Sequence, residues 1–197
     1  MASVLQTRMF DLAPTPIRRL IVPRGCDCWW GVDPGTRRTA LAFVEHRGPD
    51  PVYRCATMSY PALSGGQRLD HVYRQTRAFV ASVAEEWPPG FAYVEQPSGK
   101  QENPALSYVV GVVQAAVYAG VQEALSVPLC VDTVTSSEWK KLACGAGNLY
   151  KPKRGEDRLY AVLEWAQSKG YPGSSWDEAD ALGIAEAARL TVELEQR

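Results

Sequence analysis

The sequence has few of the residues that build zinc sites or disulfide frameworks. It contains only two histidines, His46 and His71, and its five cysteines are an odd number with no pair spaced as CxxC. Neither a zinc site nor a disulfide-stapled fold is therefore supported. Thiols scattered through predicted strands suit a reducing compartment, where cysteine packs as a small apolar residue. We expect the protein to work in the cytoplasm.

The chain also lacks a strong charge of either sign. Its 21 basic and 22 acidic side chains give a net charge of −1 at pH 7. This balance argues against a protein held to nucleic acid by bulk positive charge, but it leaves room for a local basic groove. At 197 residues, 46% of them hydrophobic, the chain can bury one substantial core. We predict one domain over residues 26–197.

No apolar run typical of a secretory signal precedes this domain. Residues 1–25 contain four arginines and one acid: Arg8, Arg18, Arg19, Arg24 and Asp11. We interpret this stretch as a basic N-terminal extension on the surface. An arm that touches DNA and an organelle-targeting peptide are the alternatives.

A run long enough to span a bilayer is also missing. Between positions 105 and 121 only Ser107 and Gln114 are polar, which is a little short of the ~20 apolar residues needed. We therefore predict a core helix from about Pro104, and no membrane partner. Three small residues recur at every fourth position and form a stripe that another helix or a sheet could approach closely: Gly111, Ala115 and Ala119.

Strand and helix signals follow the order βββαβαβ and then helices. CDCWWGVD and TALAFVEH flank PGTRR, where Pro and Gly after an Asp fit a type II turn, so the first two strands form a hairpin. VYRCATMSY, FAYVEQ and VPLCVDTV supply three more strands, and three helical segments close the chain. This order predicts an α/β fold with a mixed sheet and helices on both faces.

Four acids lie at the ends of these predicted elements: Asp33, Glu95, Asp177 and Asp180. Asp33 enters the hairpin turn, and Glu95 ends an otherwise apolar strand. Asp177 and Asp180 share one face of the last helix, and no Lys or Arg lies near them in sequence. Because a buried acid needs a cation, the four carboxylates indicate an oxygen-rich Mg²⁺ site, and such sites usually act on phosphates. Taken singly, turn capping, a solvated strand end and helix capping explain them as well.

A local surplus of basic residues lies between the second and third acids. The segment WKKLACGAGNLYKPKRG alternates lysines with glycines and a tyrosine, which suits a flexible loop that follows a phosphate backbone. A solvated charged loop is the alternative. Five residues here and beside the first turn are candidate nucleic-acid contacts: Arg37, Arg38, Lys141, Lys153 and Arg154.

These motifs resemble the RuvC-type Holliday-junction resolvases of the RNase H-like superfamily, over about residues 26–190. GVDPGTRRTALAFVE is similar to that family's opening strand, acid and hairpin, and YVEQ to its second acid on a central strand. WDEADALGIAEAA is similar to its closing helix with paired acids. The resemblance implies a five-stranded sheet with three antiparallel N-terminal strands followed by two parallel ones.

The resemblance also implies a metal-dependent endonuclease that resolves four-way junctions in branched DNA by paired nicks. Two Mg²⁺ ions per site, with Mn²⁺ as a substitute, would be held by the four acids, with Asp33 bridging them. Lys140 and Lys151 fall where the family has two functional lysines around its GxG loop. The helix with the small-residue stripe is similar to the one that pairs subunits, which implies a homodimer, and the family implies a bacterial or phage source.

Some features leave the substrate open. Ser98 stands where some family members have an aromatic residue that wedges into the junction. The same nuclease fold could act on flaps, replication forks or RNA-containing hybrids, or the protein could bind junctions without cutting them. DPGT also resembles the phosphate-binding hairpin of actin-like and sugar kinases, but those enzymes close two such domains over a nucleotide, and this chain has room for one.

Overall fold

The computed structural model of the protein describes residues 27–46, 50–62, 64–97, 104–126, 129–151 and 160–196. Its strands are β1 Cys28–Pro34, β2 Arg38–Glu45, β3 Val52–Ser59, β4 Phe91–Gln96 and β5 Cys130–Thr135. Its helices are α1 Gly65–Ala84, α2 Pro104–Leu125, α3 Ser136–Cys144, α4 Ala161–Ser168 and α5 Trp176–Glu195. The extension predicted over residues 1–25 lies outside the described residues.

The strands form one sheet in the order β3-β2-β1-β4-β5. β1, β2 and β3 pair antiparallel, whereas β4 runs parallel to β1, and β5 parallel to β4. The carboxyl ends of β1, β4 and β5 therefore meet at one end of the sheet. This topology confirms the predicted five-stranded mixed sheet and its N-terminal hairpin.

Helices cover both faces of the sheet, as predicted. α1 and α2 pack over one core, which contains Trp30 and Leu41. α3, α4 and α5 pack over a second core, which contains Trp139. Because successive side chains of a strand point to opposite faces, Leu41 and Phe43 of β2 face α1 and α2, while Ala40, Ala42 and Val44 face α5.

α5 lies directly on β1 because Gly31 has no side chain. A Cβ at Gly31 would lie 2.2 Å from the backbone nitrogen of Ala185 and 2.3 Å from the carbonyl oxygen of Ala181. No side chain can be accommodated between two backbones at this distance. The close contact brings the first turn of α5 to the end of β1, where Asp33 lies.

The turn between β1 and β2 is not the predicted type II turn. A type II turn requires a positive φ at its second central residue, and Gly35 is not among the described glycines with positive φ. β1 instead continues through Pro34, which pairs with Thr39. The amide of Gly35 donates to the carbonyl oxygen of Arg38 at 2.9 Å, and a Cβ would lie 2.6 Å from that oxygen. Glycine is needed at position 35 because a residue with a Cβ would collide with the carbonyl oxygen of Arg38.

The last strand in the sheet order, β5, has two backbone amides that bind carboxylates. The amide of Thr133 donates to Asp132 at 2.7 Å, and that of Thr135 donates to Glu138 at 2.9 Å. Thr135 and Glu138 form a capping box, since the Thr135 hydroxyl accepts from the Glu138 amide. The capping box begins α3 directly after β5, at the same end of the sheet as Asp33.

α2 begins at Pro104 as predicted. Its stripe of small residues, Gly111, Ala115 and Ala119, is not where another element of the described structure packs closely against the helix. Gly111 and Ala115 are exposed, and nothing lies within 4 Å of a Cβ built at Gly111. The close approach is made by Gly120, whose Cβ would lie 2.6 Å from Val80 of α1. The physical reason is that burial favours the valine-rich face of α2, which removes more apolar area from water.

By length and composition alone, α2 could cross a membrane. Its most apolar window has a mean hydropathy of 1.5, and 39% of that window is buried inside the protein. One such helix is weak evidence for a membrane span, because core helices of globular proteins satisfy the same criterion.

Candidate active site

The carboxyl ends of β1 and β4 open into a cleft of about 340 Å³. Five of the six residues predicted as catalytic line it: Asp33, Glu95, Lys140, Lys151 and Asp180. They come from β1, β4, α3, the loop after α3, and α5. The cleft therefore gathers residues that are far apart in the sequence at one point of the fold.

Asp33 and Glu95 lie next to each other because β1 and β4 are parallel neighbours. The strands pair up to Val32 and Val94, so each acid is the next residue on its strand. The hydroxyl of Ser136, the first residue of α3, hydrogen-bonds Glu95. The capping box after β5 thus also provides a donor to the site.

Both strand acids have raised pKa values. Loss of solvent in the cleft, followed by the charges of Glu95 and Asp180, raises the pKa of Asp33 well above its ordinary value. Loss of solvent and the charge of Asp180 raise the pKa of Glu95 to about 7, although Lys140 and Lys151 act in the opposite direction. A cation bound between these two carboxylates would relieve their mutual repulsion in the poorly solvated cleft.

Asp180 is the most enclosed of the four acids, and it faces the cleft as predicted. Its carboxylate accepts from the ammonium of Lys151 at 2.5 Å and from the hydroxyl of Tyr160. Burial and the charge of Asp180 raise the pKa of Tyr160, so this hydroxyl stays a donor. Burial alone would lower the pKa of Lys151, but Asp180, Asp33 and Asp177 outweigh it and raise that pKa.

Asp177 is near the cleft but does not line it. Its carboxylate forms an ion pair with the guanidinium of Arg38 at the start of β2. Its charge still contributes to the raised pKa of Asp33. No Lys or Arg lies near the helix acids in sequence, but Arg38 and Lys151 reach them through the tertiary fold.

Lys140 is unusually enclosed for a lysine, with 7% of its surface exposed. Its ammonium lies 5.2 Å from the ring centre of Trp139 and 6.0 Å from that of Tyr160. These aromatic faces attract a cation and direct it toward the cleft. Its position beside Glu95 and Asp180 supports its predicted role in the site.

The predicted nucleic-acid contacts are only partly described. Arg37, Arg38 and Lys141 are exposed. Lys153, Arg154 and Ser98 lie outside the described residues. The exposed arginines at the start of β2 and Lys141 on α3 leave positive charge accessible near the cleft.

Three residues of this region were not predicted from the sequence. Tyr160 and Ser136 contact the acids directly, and the TSSE capping-box pattern was the signal that could have located Ser136. Glu178 anchors α5, since it accepts from Thr57 at 2.9 Å and from Tyr171 at 2.5 Å. Glu178 thereby fixes the helix turn that carries Asp177 and Asp180.

The residues fit Mg²⁺ by their chemistry. Within the described ranges, no three His, Cys, Asp or Glu side chains already form a closed metal cage. Asp177 and Asp180 are turned instead to Arg38 and Lys151, whose charges offset theirs. Carboxylate oxygens are the ligands that Mg²⁺ prefers, and the repulsion between Asp33 and Glu95 would be relieved by a cation.

The raised pKa values predict a pH-dependent stability for the metal-free protein. Because Asp33 and Glu95 hold protons more tightly when folded, the folded state binds more protons than the unfolded state between about pH 4.5 and 7. Stability is therefore lost as pH rises through this window, by ~1–3 kcal/mol. In EDTA, we expect the melting temperature to be several degrees lower at pH 8 than at pH 5.5.

Two comparisons test this pH dependence by differential scanning fluorimetry. Mg²⁺ should raise the melting temperature more at pH 8 than at pH 5.5, because the carboxylates are then ionised. Glu95→Gln should flatten the curve and raise the melting temperature at pH 8. Parallel curves for the wild type and Glu95→Gln would contradict the assignment of the effect to this site.

Comparison with known proteins agrees with the geometry. No protein-family model matches the sequence. The chain is 28% identical over 156 residues to the crossover junction endodeoxyribonuclease RuvC of Herminiimonas arsenicoxydans, covering 79% of each protein. It is 28% identical over 160 residues to RuvC of Polynucleobacter asymbioticus, covering 80% of this chain and 85% of the relative. Thermus thermophilus RuvC in complex with a Holliday junction substrate matches with a TM-score of 0.63 and 21% identity, over 85% of this chain and 95% of that one.

The sheet order and the helices on both faces define an RNase H-like fold, which the Thermus structure shares. Among proteins with this fold, the sequence is similar to RuvC over about four-fifths of the chain. The chain is thus similar to RuvC proteins in sequence and in fold, which confirms the resemblance predicted from its motifs.

Proposed function

We propose that this protein is a divalent-metal-dependent endonuclease that resolves four-way junctions in branched DNA by paired nicks. The observation that carries the proposal is the convergence of Asp33, Glu95 and Asp180 with two lysines in one cleft. The names of the relatives, crossover junction endodeoxyribonucleases, support branched DNA as the substrate. We expect the protein to act in the cytoplasm of a bacterium or a phage-infected cell.

Asp33, Glu95 and Asp180 would hold two Mg²⁺ ions, or Mn²⁺ in their place, and Asp177 would join them from the rim of the cleft. Bound there, the metal supplies Lewis-acid chemistry, which lowers the pKa of the attacking water and stabilises charge on the leaving oxygen. Tyr160 keeps Asp180 oriented by its hydrogen bond. Ser136 does the same for Glu95.

The two lysines are suited to offset negative charge on the phosphate. Lys140 is held by its aromatic neighbours and cannot move far, so it would meet the scissile phosphate as a fixed cation. Lys151 is more exposed, and its raised pKa keeps it protonated at neutral pH. Arg37, Lys141, Lys153 and Arg154 would contact the DNA backbone outside the cleft, where they add affinity without reading sequence.

The deciding experiment compares a labelled four-way junction with a linear duplex of the same sequence, in Mg²⁺ and in EDTA. Paired nicks in the junction that require Mg²⁺, with the duplex intact, are the expected result. Flaps, forks and RNA–DNA hybrids on the same gel test the other substrates of this fold. Equal cleavage of duplex and junction would overturn the substrate, and junction binding without cleavage would overturn the enzymatic role.

We also infer that the protein forms a two-fold dimer through the exposed face of α2. Tyr108 and Tyr118 are 66% and 45% exposed on this face, and Gly111 and Ala115 lie between them. An apolar helix face of this kind rarely stays in contact with water. A two-fold pair would offer two clefts to two DNA strands, which suits paired nicks.

Gly111→Glu tests the dimer by placing a charge in this face. Sedimentation is expected to give a dimer for the wild type and a monomer for the variant, and the variant should nick one strand at a time. Ser168→Glu, an exposed change on α4 on the other side of the sheet, is the matched control. A dimeric Gly111→Glu protein would contradict the interface.

A further inference from the structure

The ion pair between Arg38 and Asp177 is not explained by the proposed chemistry. Arg38 begins β2, and Asp177 lies in the first turn of α5. Their charged groups are in direct contact. Of the two helix acids, Asp180 lines the cleft whereas Asp177 does not. A carboxylate that the metal would need is thus bound to a cation at the rim.

We infer that Arg38 is a latch that keeps Asp177 away from the metal until DNA is bound. A phosphate of the incoming DNA takes the guanidinium, and the released carboxylate of Asp177 becomes available to the metal. The inference rests on the proposed function, and it makes Arg38 a positioning residue that couples DNA binding to metal binding.

The exposure of the two partners supports this exchange. The side chain of Arg38 is 57% exposed, and that of Asp177 is 21% exposed, so a phosphate can reach the arginine from solvent. Exposed ion pairs are weak, whereas a guanidinium binds a phosphate with two parallel hydrogen bonds. The partner of Asp177 can therefore be replaced without rearranging the fold.

The second helix acid provides a contrast within the same helix. Asp180 is 5% exposed at its side chain and is bound by both Lys151 and Tyr160. A phosphate can reach Lys151, whose side chain is 42% exposed, but the Tyr160 hydroxyl would still hold Asp180 in the cleft, so the position of Asp180 does not depend on one ion pair. The exchange is expected at Asp177, where the partner is a single exposed arginine.

The first test measures Mn²⁺ binding without DNA, by electron paramagnetic resonance of the free ion. Arg38→Gln should bind Mn²⁺ about two- to fivefold more tightly than the wild type, the size expected of an exposed ion pair. Arg37→Gln removes the same charge one residue away and controls for general electrostatics. Arg37→Gln should raise the Mn²⁺ affinity clearly less than Arg38→Gln does.

A double-mutant cycle separates the latch from a simple charge effect. In the Asp177→Asn background, Arg38→Gln should raise Mn²⁺ affinity no more than Arg37→Gln does, because no carboxylate is left to release. A gain in this background as large as the one in the wild-type background would overturn the latch. So would an Arg38→Gln protein that binds Mn²⁺ no more tightly than Arg37→Gln.

The second test uses the reciprocity of coupled binding. In EDTA, Asp177→Asn should tighten binding to a four-way junction by a similar factor, because Arg38 is freed for the phosphate. The same change in the Arg38→Gln background should give no such gain. Equal gains in both backgrounds would overturn the latch.

Failure of the latch and failure of the proposed site can be told apart. Asp33→Asn should lose Mn²⁺ binding if the cleft is the metal site, whatever Arg38 does. If Asp33→Asn loses Mn²⁺ and Arg38→Gln matches the wild type, only the latch is overturned. If Asp33→Asn binds Mn²⁺ normally, the metal site itself is wrong.

Discussion

Replacing Asp33 by Asn is expected to lower Mg²⁺-dependent cleavage of a four-way junction by roughly 10³-fold or more. Asp33 lies at the end of β1, and its raised pKa reflects the nearby charges of Glu95 and Asp180. The amide keeps the shape of the side chain but removes an anionic oxygen from the centre of the metal site. Single-turnover rates with saturating enzyme measure the loss without a contribution from DNA affinity.

The matched control for this variant is Asp50→Asn. Asp50 is exposed between β2 and β3, at the end of the sheet away from the cleft, so its loss should leave cleavage near the wild-type rate. Asp33→Asn should also be more stable than the wild type at pH 8 in EDTA, because it removes repulsion among the acids. A folded Asp33→Asn protein that cleaves within tenfold of the wild type would contradict the site.

Gly31→Ala is expected to have the largest effect on stability, about 3 kcal/mol or more. The added methyl group would overlap the backbone of α5 at Ala185 and Ala181. Because both obstacles are main-chain atoms, no rotamer change can relieve the overlap, and α5 must move away from β1. Urea denaturation followed by circular dichroism gives the free energy of unfolding of the variant and the wild type.

The same substitution where there is space provides the comparison. Gly66 lies in the first turn of α1, and nothing lies within 4 Å of a Cβ built there. Gly66→Ala should leave stability unchanged or raise it by up to ~1 kcal/mol, because alanine favours the helix. If both variants unfold at the same urea concentration, the close contact of α5 with β1 does not have the importance that we assign to it.

Local sequence patterns were sufficient to predict most of the strands and helices and the positions of the four acids, whereas Lys140 and Lys151 were predicted from the resemblance to RuvC-type resolvases. Strand alternation located Glu95 at the end of β4, and the resemblance implied the parallel strands that place it beside β1. The three-residue spacing of Asp177 and Asp180 placed both in the first turns of α5. These predictions depend on periodicity, which nearby residues determine.

The partners of the acids could not be predicted in this way. Arg38 and Lys151 reach α5 from β2 and from the loop after α3, and no local pattern connects them to it. Tyr160 was unpredictable for the same reason, since its contact with Asp180 depends on how α4 packs on α5. The outward direction of Gly111 also depends on which face of α2 the sheet covers. These contacts join elements that are distant in sequence, so the spacing of neighbouring residues does not predict them.

The bound amides of Thr133 and Thr135 limit how copies of this protein can associate. Amides two residues apart on a strand point the same way, and here both are already bonded to carboxylates. A strand from a second molecule would find these donors occupied at the β5 side of the sheet, so open-ended stacking there is discouraged. At this edge the occupied amides therefore favour the closed, helix-mediated pairing that we propose, in which the number of copies is finite.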